Sequence, residues 1–205
     1  MTYSSCLTDW SGTHLVLDTS AVINLYACGR ANDIIDALPH ACLMPKIAAK
    51  ELEAANAEAR EQLSFLSSLV STSRIQLIDL NESCFVHYER FVSGSRSLDD
   101  GEAAVLAIAL EHGFLPVLDE RKARHRVLDE KPNIIVPSTI DLFLHPTVFQ
   151  SLGSEASVDI IYTALQKANM SVLPEQRDTV IALIGKERAK TCQSLPRFKS
   201  LCQTI

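Results

Sequence analysis

The chain lacks both a membrane-spanning stretch and a closely spaced cysteine pair. Its 205 residues are 47% hydrophobic, but no uninterrupted apolar run approaches the roughly 20 residues that a membrane span needs. None of its six cysteines forms a Cys-x-x-Cys pair, which argues against a zinc site or a disulfide framework. The Ser/Thr-rich first dozen residues carry no basic segment followed by an apolar one, so we expect no signal peptide. We therefore expect a cytoplasmic protein with reduced thiols and no membrane contact.

Motifs typical of several enzyme classes are also missing. The sequence contains neither a glycine-rich loop that would cradle a phosphate nor the elbow that presents a serine nucleophile. Its six histidines show no metal-ligand spacing, and we interpret them as structural. The net charge of −6 argues against nonspecific coating of nucleic acid. It leaves room for an enzyme that combines acidic metal ligands with local basic patches.

Short apolar runs alternate with helical patterns through the first two thirds of the chain. The runs that predict β-strands are Leu15–Leu17, Ala41–Met44, Ile75–Ile78, Phe114–Leu118 and Ile134–Val136. The predicted helices are Ser20–Cys28, Pro45 to beyond Glu61, Glu82–Phe91, Asp99–Glu111 and Glu120–Asp129. Such alternation predicts a mostly parallel sheet covered on both faces, which is a three-layer α/β/α sandwich.

The alternation stops near His145-Pro146. Beyond it, Ala156–Ala168 and Glu175–Lys190 predict two helices. We therefore expect an α/β domain over residues 1–145 and a C-terminal helical extension over residues 146–205.

Four acidic residues stand where an α/β sheet binds its ligands. Asp18 follows the first strand, and Asp119 follows the strand Phe114–Leu118. Glu51 is predicted on the second turn of the helix after Pro45, and Glu102 begins an alanine-rich helix. In a right-handed parallel sheet, the carboxyl ends of strands and the starts of the following helices share one edge. The four carboxylates are therefore expected to converge there.

Crowded carboxylates repel one another unless a cation or protons neutralise them. A site of oxygen ligands alone favours Mg²⁺ or Mn²⁺ over zinc. We accordingly predict a divalent metal site at Asp18, Glu51, Glu102 and Asp119. Taken singly, Glu51 or Glu102 is also explained by the preference for negative charge at a helix N-terminus, so the prediction rests on the four together.

In this order and spacing, the chain resembles the PIN-domain ribonucleases, a family of metal-dependent nucleases with an α/β/α sandwich. The resemblance covers about residues 14–145, and the segments that carry it are Leu15 to Ser20, Pro45 to Leu52, Leu98 to Glu102 with its helix, and Val117 to Arg124. It implies that the same four acids bind the metal and that Ser20 supports Asp18. Alternatives stay open: Asp99 or Glu120 replaces or assists a neighbouring acid, and Asp100 caps its helix.

Basic residues follow the fourth acid. Arg121, Lys122 and Arg124, with Arg126 further along, are candidates for holding substrate phosphates, although an exposed amphipathic helix explains them equally well. Lys46 is a weaker candidate. The basic segment Lys186–Lys199 is explained by a solvated helix end, with RNA or an acidic partner as the alternative.

We therefore expect an endoribonuclease that cleaves RNA phosphodiester bonds with a metal-activated water. The resemblance also implies a toxin held inactive by an antitoxin or another protein partner, and a homodimer. One alternative is a phosphatase with Asp18 as nucleophile, although such sites usually carry a second aspartate where this chain has Ser20. The other is an inactive PIN-like scaffold that binds a protein through its C-terminal helices.

Overall fold

The centre of the fold is a four-stranded, all-parallel sheet, seen in a computed structural model that describes residues 5–53 and 56–195. Its strands are β1 (Leu15–Leu17), β2 (Cys42–Pro45), β3 (Ile75–Ile78) and β4 (Leu115–Val117). They lie in the order β3-β2-β1-β4, so β1 pairs with β2 on one side and with β4 on the other. Strand β4 contains Pro116, which cannot donate a main-chain hydrogen bond, and it lies at the edge of the sheet as expected.

Helices cover both faces of the sheet. Up to residue 145 they are α1 (Thr19–Cys28), α2 (Ala31–Ala37), α3 (Lys46–Ala49), α4 (Ala57–Ser71), α5 (Glu82–Val92), α6 (Asp100–His112), α7 (Arg121–Glu130) and α8 (Thr139–Phe143). Beyond residue 145 they are α9 (Pro146–Leu152), α10 (Ser154–Lys167), α11 (Arg177–Ile184) and α12 (Lys186–Lys190). Short 3₁₀ turns occupy Thr8–Trp10, Lys50–Glu53 and Pro174–Gln176.

The central strand β1 separates two hydrophobic cores. Successive side chains of a strand point to opposite faces, and here Leu15 and Leu17 enter one core while Val16 enters the other. The first core includes α1 and α10, which pack against each other. The second includes α5, α6 and α7. The predicted α/β/α sandwich with a parallel sheet is confirmed.

The helices after residue 145 pack on the α/β layers. Ile160 and Ile161 of α10 are buried in the same core as Leu17. The predicted helix Ala156–Ala168 is confirmed, but Glu175–Lys190 is divided at Gly185, whose φ of 85° interrupts the helix. The boundary at residue 145 stays a prediction about domain organisation, and the packing is continuous across it.

Two other local predictions are wrong. The run Ile134–Val136 forms no strand; it passes the end of β4 with a hydrogen bond from Leu118 N–H to the Pro137 carbonyl. The long helix predicted from Pro45 past Glu61 is also divided, because Asn56 accepts a hydrogen bond from Ala59 N–H at 2.7 Å and begins a new helix. Glu51 consequently lies in a 3₁₀ turn instead of on a continuous α-helix.

The described cysteines form no disulfide bonds. The thiols of Cys6, Cys28, Cys42, Cys84 and Cys192 are free, and Cys202 lies outside the described residues. Over the ranges that the structure describes, no helix has the length and apolar character required to cross a bilayer.

Candidate active site

Asp18 stands between the end of β1 and the first turn of α1. Its side chain caps the helix, because Oδ2 accepts hydrogen bonds from Ser20 N–H at 3.3 Å and from the Ser20 hydroxyl at 2.8 Å. Only 6% of Asp18 is exposed. The neighbouring Thr19 donates its hydroxyl to the Ala48 carbonyl at 3.0 Å, which ties the start of α1 to α3.

Asp119 follows β4 and is held by three hydrogen bonds. Oδ1 accepts the Thr139 N–H at 2.8 Å, and Oδ2 accepts the Thr139 hydroxyl at 2.6 Å and the Asn24 amide at 2.9 Å. All three residues are buried. Because these donors come from α1 and α8, the orientation of Asp119 depends on packing between distant parts of the chain.

Glu51 reaches the N-terminus of α6 because residue 101 is glycine. A Cβ atom at Gly101 would come within 2.1 Å of Glu51 Oε1, far closer than ordinary contact. The Gly101 main-chain N–H also lowers the pKa of the same carboxylate. Glu51 therefore occupies the space that any other residue at position 101 would fill.

The start of α6 contributes two more acids. Asp99 caps the helix by accepting the Glu102 N–H at 2.8 Å, so the helix cap is Asp99 and not Asp100 as one alternative had it. Asp100 instead accepts a hydrogen bond from the Tyr88 hydroxyl at 2.9 Å. Glu102 is 6% exposed.

One cavity of about 550 Å³ at the carboxyl edge of the sheet is lined by Asp18, Glu51, Asp99, Glu102 and Asp119, but not by Asp100. The structure thus brings together the four acids that the sequence predicted. The complete lining is Asp18, Thr19, Ser20, Ile23, Glu51, Asp99, Glu102, Asp119, Glu120, Lys122 and Ser171.

Burial and mutual repulsion favour the protonated forms of these carboxyl groups. Burial is the main cause that raises the pKa of Glu102 to about 8, with further contributions from the charges of Asp99, Asp18 and Glu120. Burial likewise raises the pKa of Asp119 to about 6, against the opposing effect of the Thr139 hydrogen bonds. The pKa values of Asp18 and Glu51 are raised as well, first by burial. Repulsion of this kind is relieved by a proton or by a cation.

The donor set fits a hard divalent cation, since every candidate ligand is a carboxylate oxygen. Within residues 5–53 and 56–195, no group of three or more His, Cys, Asp or Glu side chains is close enough together to hold a metal ion. The cavity therefore has the chemistry of an Mg²⁺ or Mn²⁺ site without its closed geometry.

One of three comparisons with known proteins gave a match. The family model DUF3368, described as a PIN domain, matches residues 14–186, which is most of the chain. The chain belongs to the PIN-domain family. Searches of curated proteins and of solved structures gave no significant match. PIN domains are generally nucleases, and the matched region extends beyond residue 145 into α9 to α11.

The three predicted phosphate-binding residues of this PIN domain lie in different places, and one of them lines the cavity. Lys122 lines the cavity, and its Nζ donates to the Ser97 carbonyl. Arg121 is exposed and is not among the described residues that line the cavity. Arg124 donates Nη1 to the carbonyls of Leu118 and Pro137 at 2.9 and 3.3 Å. Arg124 therefore fastens the loop beside β4, and its charge also lowers the pKa of Asp119.

Several of the other basic candidates pair with nearby acids. Lys46 contacts Asp79 at 2.6 Å, and Arg126 pairs with Glu130. In the C-terminal basic segment, Arg188 contacts Asp159 at 2.6 Å, whereas residues 197 and 199 lie outside the described residues. Of these basic side chains, Lys122 alone lines the acidic cavity among the residues that the structure describes.

Sequence reasoning missed three residues that shape the PIN site: Asn24, Gly101 and Thr139. Asn24 had a usable signal, because it is an amide within an otherwise apolar helix. Thr139 follows Ser138 in a Ser-x-x-Asp capping pattern, which marks a helix start beside the end of β4. Gly101 gave no signal, because only the fold shows that Glu51 approaches it.

Proposed function

We propose that this PIN domain is a metal-dependent endoribonuclease. The observation that carries the proposal is the cavity lined by six carboxylates from four separate segments at the carboxyl edge of the sheet. The pKa values of Asp18, Glu51, Glu102 and Asp119 are raised, first by burial and then by the charges of neighbouring acids, and a bound cation would favour their ionised forms. PIN domains are generally nucleases, which supports cleavage of phosphodiester bonds. That the substrate is RNA is our proposal.

The side chains have distinct roles in this proposal. Asp18, Glu51, Glu102 and Asp119 hold Mg²⁺ or Mn²⁺. When bound, the cation supplies charge neutralisation at the scissile phosphate and acidifies the attacking water. Ser20 fixes the Asp18 carboxylate, and Thr139 fixes that of Asp119. Lys122 offers its ammonium group to a substrate phosphate at the cavity wall.

Cleavage of a mixed RNA pool tests the proposal. Wild-type protein with Mn²⁺ should cut RNA, and Asp18→Asn should lower the rate at least about 100-fold. Asparagine caps helices as well as aspartate does, so this change removes the charge and keeps the cap of α1. The matched control is Asp33→Asn, an exposed acid paired with Arg30, which should retain wild-type activity. Sequencing of the cleaved ends reports any base preference.

Full activity in Asp18→Asn would refute the proposal. Absence of both Mn²⁺ binding and cleavage in the wild type, together with a stable protein complex through residues 146–205, would favour the inactive scaffold. The toxin role, the antitoxin or other protein partner, the homodimer and the cytoplasmic location stay predictions.

A further inference from the structure

Helix α8 supplies Asp119 with two of its three hydrogen bonds, through the main chain and the hydroxyl of Thr139. The helix has only five residues. Helices of this length do not hold their conformation in isolation. The position of Thr139, and hence of the Asp119 carboxylate, must be set by contacts between α8 and the rest of the chain.

Gln176 makes polar contacts between the C-terminal extension and α8, while apolar side chains of α8 such as Phe143 are buried in the same core as α10. The Gln176 amide nitrogen donates to Asp141 Oδ2 at 3.0 Å and to the Ser138 hydroxyl oxygen at 2.8 Å. Ser138 and Asp141 are the two members of the capping box that begins α8. All three side chains are buried. A neutral donor to a buried carboxylate makes a stronger bond than one between two neutral groups.

The same helix is also held from the opposite end of the chain. The Ser5 hydroxyl donates to the Asp141 carbonyl at 2.9 Å, and the Cys6 N–H donates to Asp141 Oδ1 at 3.2 Å. The extension reaches the active site at a second place, because Ser171 lines the acidic cavity. The residues beyond 145 are therefore in contact with the site's framework at two separate points.

We propose that Gln176 is a positioning residue for the active site. It fixes the capping box of α8, the capping box fixes Thr139, and Thr139 orients Asp119. The inference rests on the proposed function where it concerns catalysis, but its structural part does not need RNA or metal. When a residue that orients a metal ligand without binding the metal is removed, metal affinity or activity typically falls by about 10- to 100-fold.

Replacement of Gln176 by methionine tests the inference, since methionine keeps the shape of the side chain and removes the amide. In the metal-free protein, hydrogen exchange of the Thr139 N–H should become about tenfold faster, because this group is bonded to Asp119. Mn²⁺ affinity measured by calorimetry should fall about tenfold. The kcat for RNA cleavage should fall similarly, with KM nearly unchanged.

The matched control is Gln166→Met. Gln166 belongs to the same extension, but its amide donates to the Thr191 carbonyl at 2.8 Å, so Thr139 exchange and Mn²⁺ affinity should stay within about twofold of wild type. A folded Gln176→Met protein with wild-type Thr139 exchange and wild-type Mn²⁺ affinity would overturn the inference. If Gln176→Met does not fold, Ser138→Ala receives the same measurements, and wild-type values there would overturn it equally. A wild-type chain that cleaves no RNA would refute the proposed function alone, because Thr139 exchange still tests the role of Gln176.

Discussion

Gly101→Ala should separate the activity of this protein from its stability. The added Cβ would lie 2.1 Å from Glu51 Oε1, and ordinary contact begins near 3.4 Å. The Glu51 carboxylate must therefore withdraw by roughly 1.3 Å, a distance obtained from these two values. Because the displaced atom is the end of a flexible side chain, the movement costs the fold little.

The expected stability change is small or favourable. Gly101 lies in the first turn of α6 with a negative φ, where alanine is up to about 1 kcal/mol more favourable than glycine. The free energy of unfolding in urea should thus be unchanged or slightly higher. Mn²⁺ affinity by calorimetry should nevertheless fall about 10- to 100-fold, which is the range for a metal ligand that loses its orientation.

A double-mutant cycle with Glu51→Ala isolates the cause. If Gly101→Ala acts by displacing the Glu51 carboxylate, it should have no further effect on Mn²⁺ affinity in the Glu51→Ala background. Equal losses in both backgrounds would show that the reasoning is wrong. Wild-type Mn²⁺ affinity in Gly101→Ala alone would also contradict it.

Two further predictions concern protonation and the basic residues. The pKa of Glu102 is about 8 in the folded protein and 4.5 for the ordinary side chain. Between these pH values the folded, metal-free chain keeps a proton that the unfolded chain releases. The free energy of unfolding should therefore fall as pH rises from 4.5 to about 8. Mn²⁺ affinity should rise about tenfold per pH unit where one proton is released on binding. Glu102→Gln should make both the affinity and the free energy of unfolding depend less on pH. Calorimetry and urea unfolding from pH 5 to 8 measure the two quantities, and a wild-type protein in which neither changes with pH would contradict the prediction. Arg124→Ala should destabilise the fold by about 1–3 kcal/mol, because its bonds to two carbonyls are lost, whereas Lys122→Ala should leave the melting temperature nearly unchanged and raise KM for RNA. An Arg124→Ala protein with wild-type stability and a raised KM would restore Arg124 as a substrate ligand.

Much of the fold was predictable because its local signals agree with its tertiary packing. The strand at residues 15–17 and the helix of residues 100–112 carry clear apolar patterns, and Gly113 ends the helix with a φ of 68°. The failure at residues 134–136 has a tertiary cause. Arg124 donates to the carbonyls of Leu118 and Pro137, and the Pro137 carbonyl also accepts the Leu118 N–H. Pro137 itself has no N–H, so it cannot donate a further hydrogen bond to a ladder beside β4.

The candidate site was predictable as a set of acids but not as an arrangement. Asp18 and Asp119 each follow an apolar strand, and that position alone places both at one edge of a parallel sheet. The hydrogen bonds from Thr139 and Asn24 join residues 20 and 95 positions away from Asp119, and no local pattern encodes such distances. The approach of Glu51 to Gly101 is likewise a property of packing between α6 and the turn that follows α3.

Because the residues that form the site are far apart in sequence, the acidic cluster exists only in the folded protein. On an unfolded or partly folded chain, the acids of these separate segments are hydrated side chains far from one another. The charges come together only when α1, β4, α6 and α8 have docked, because these elements carry the acids or the donors that hold Asp119. Opening either layer of the sandwich would disperse the acids again, and cation binding should therefore disappear together with the tertiary structure instead of weakening gradually.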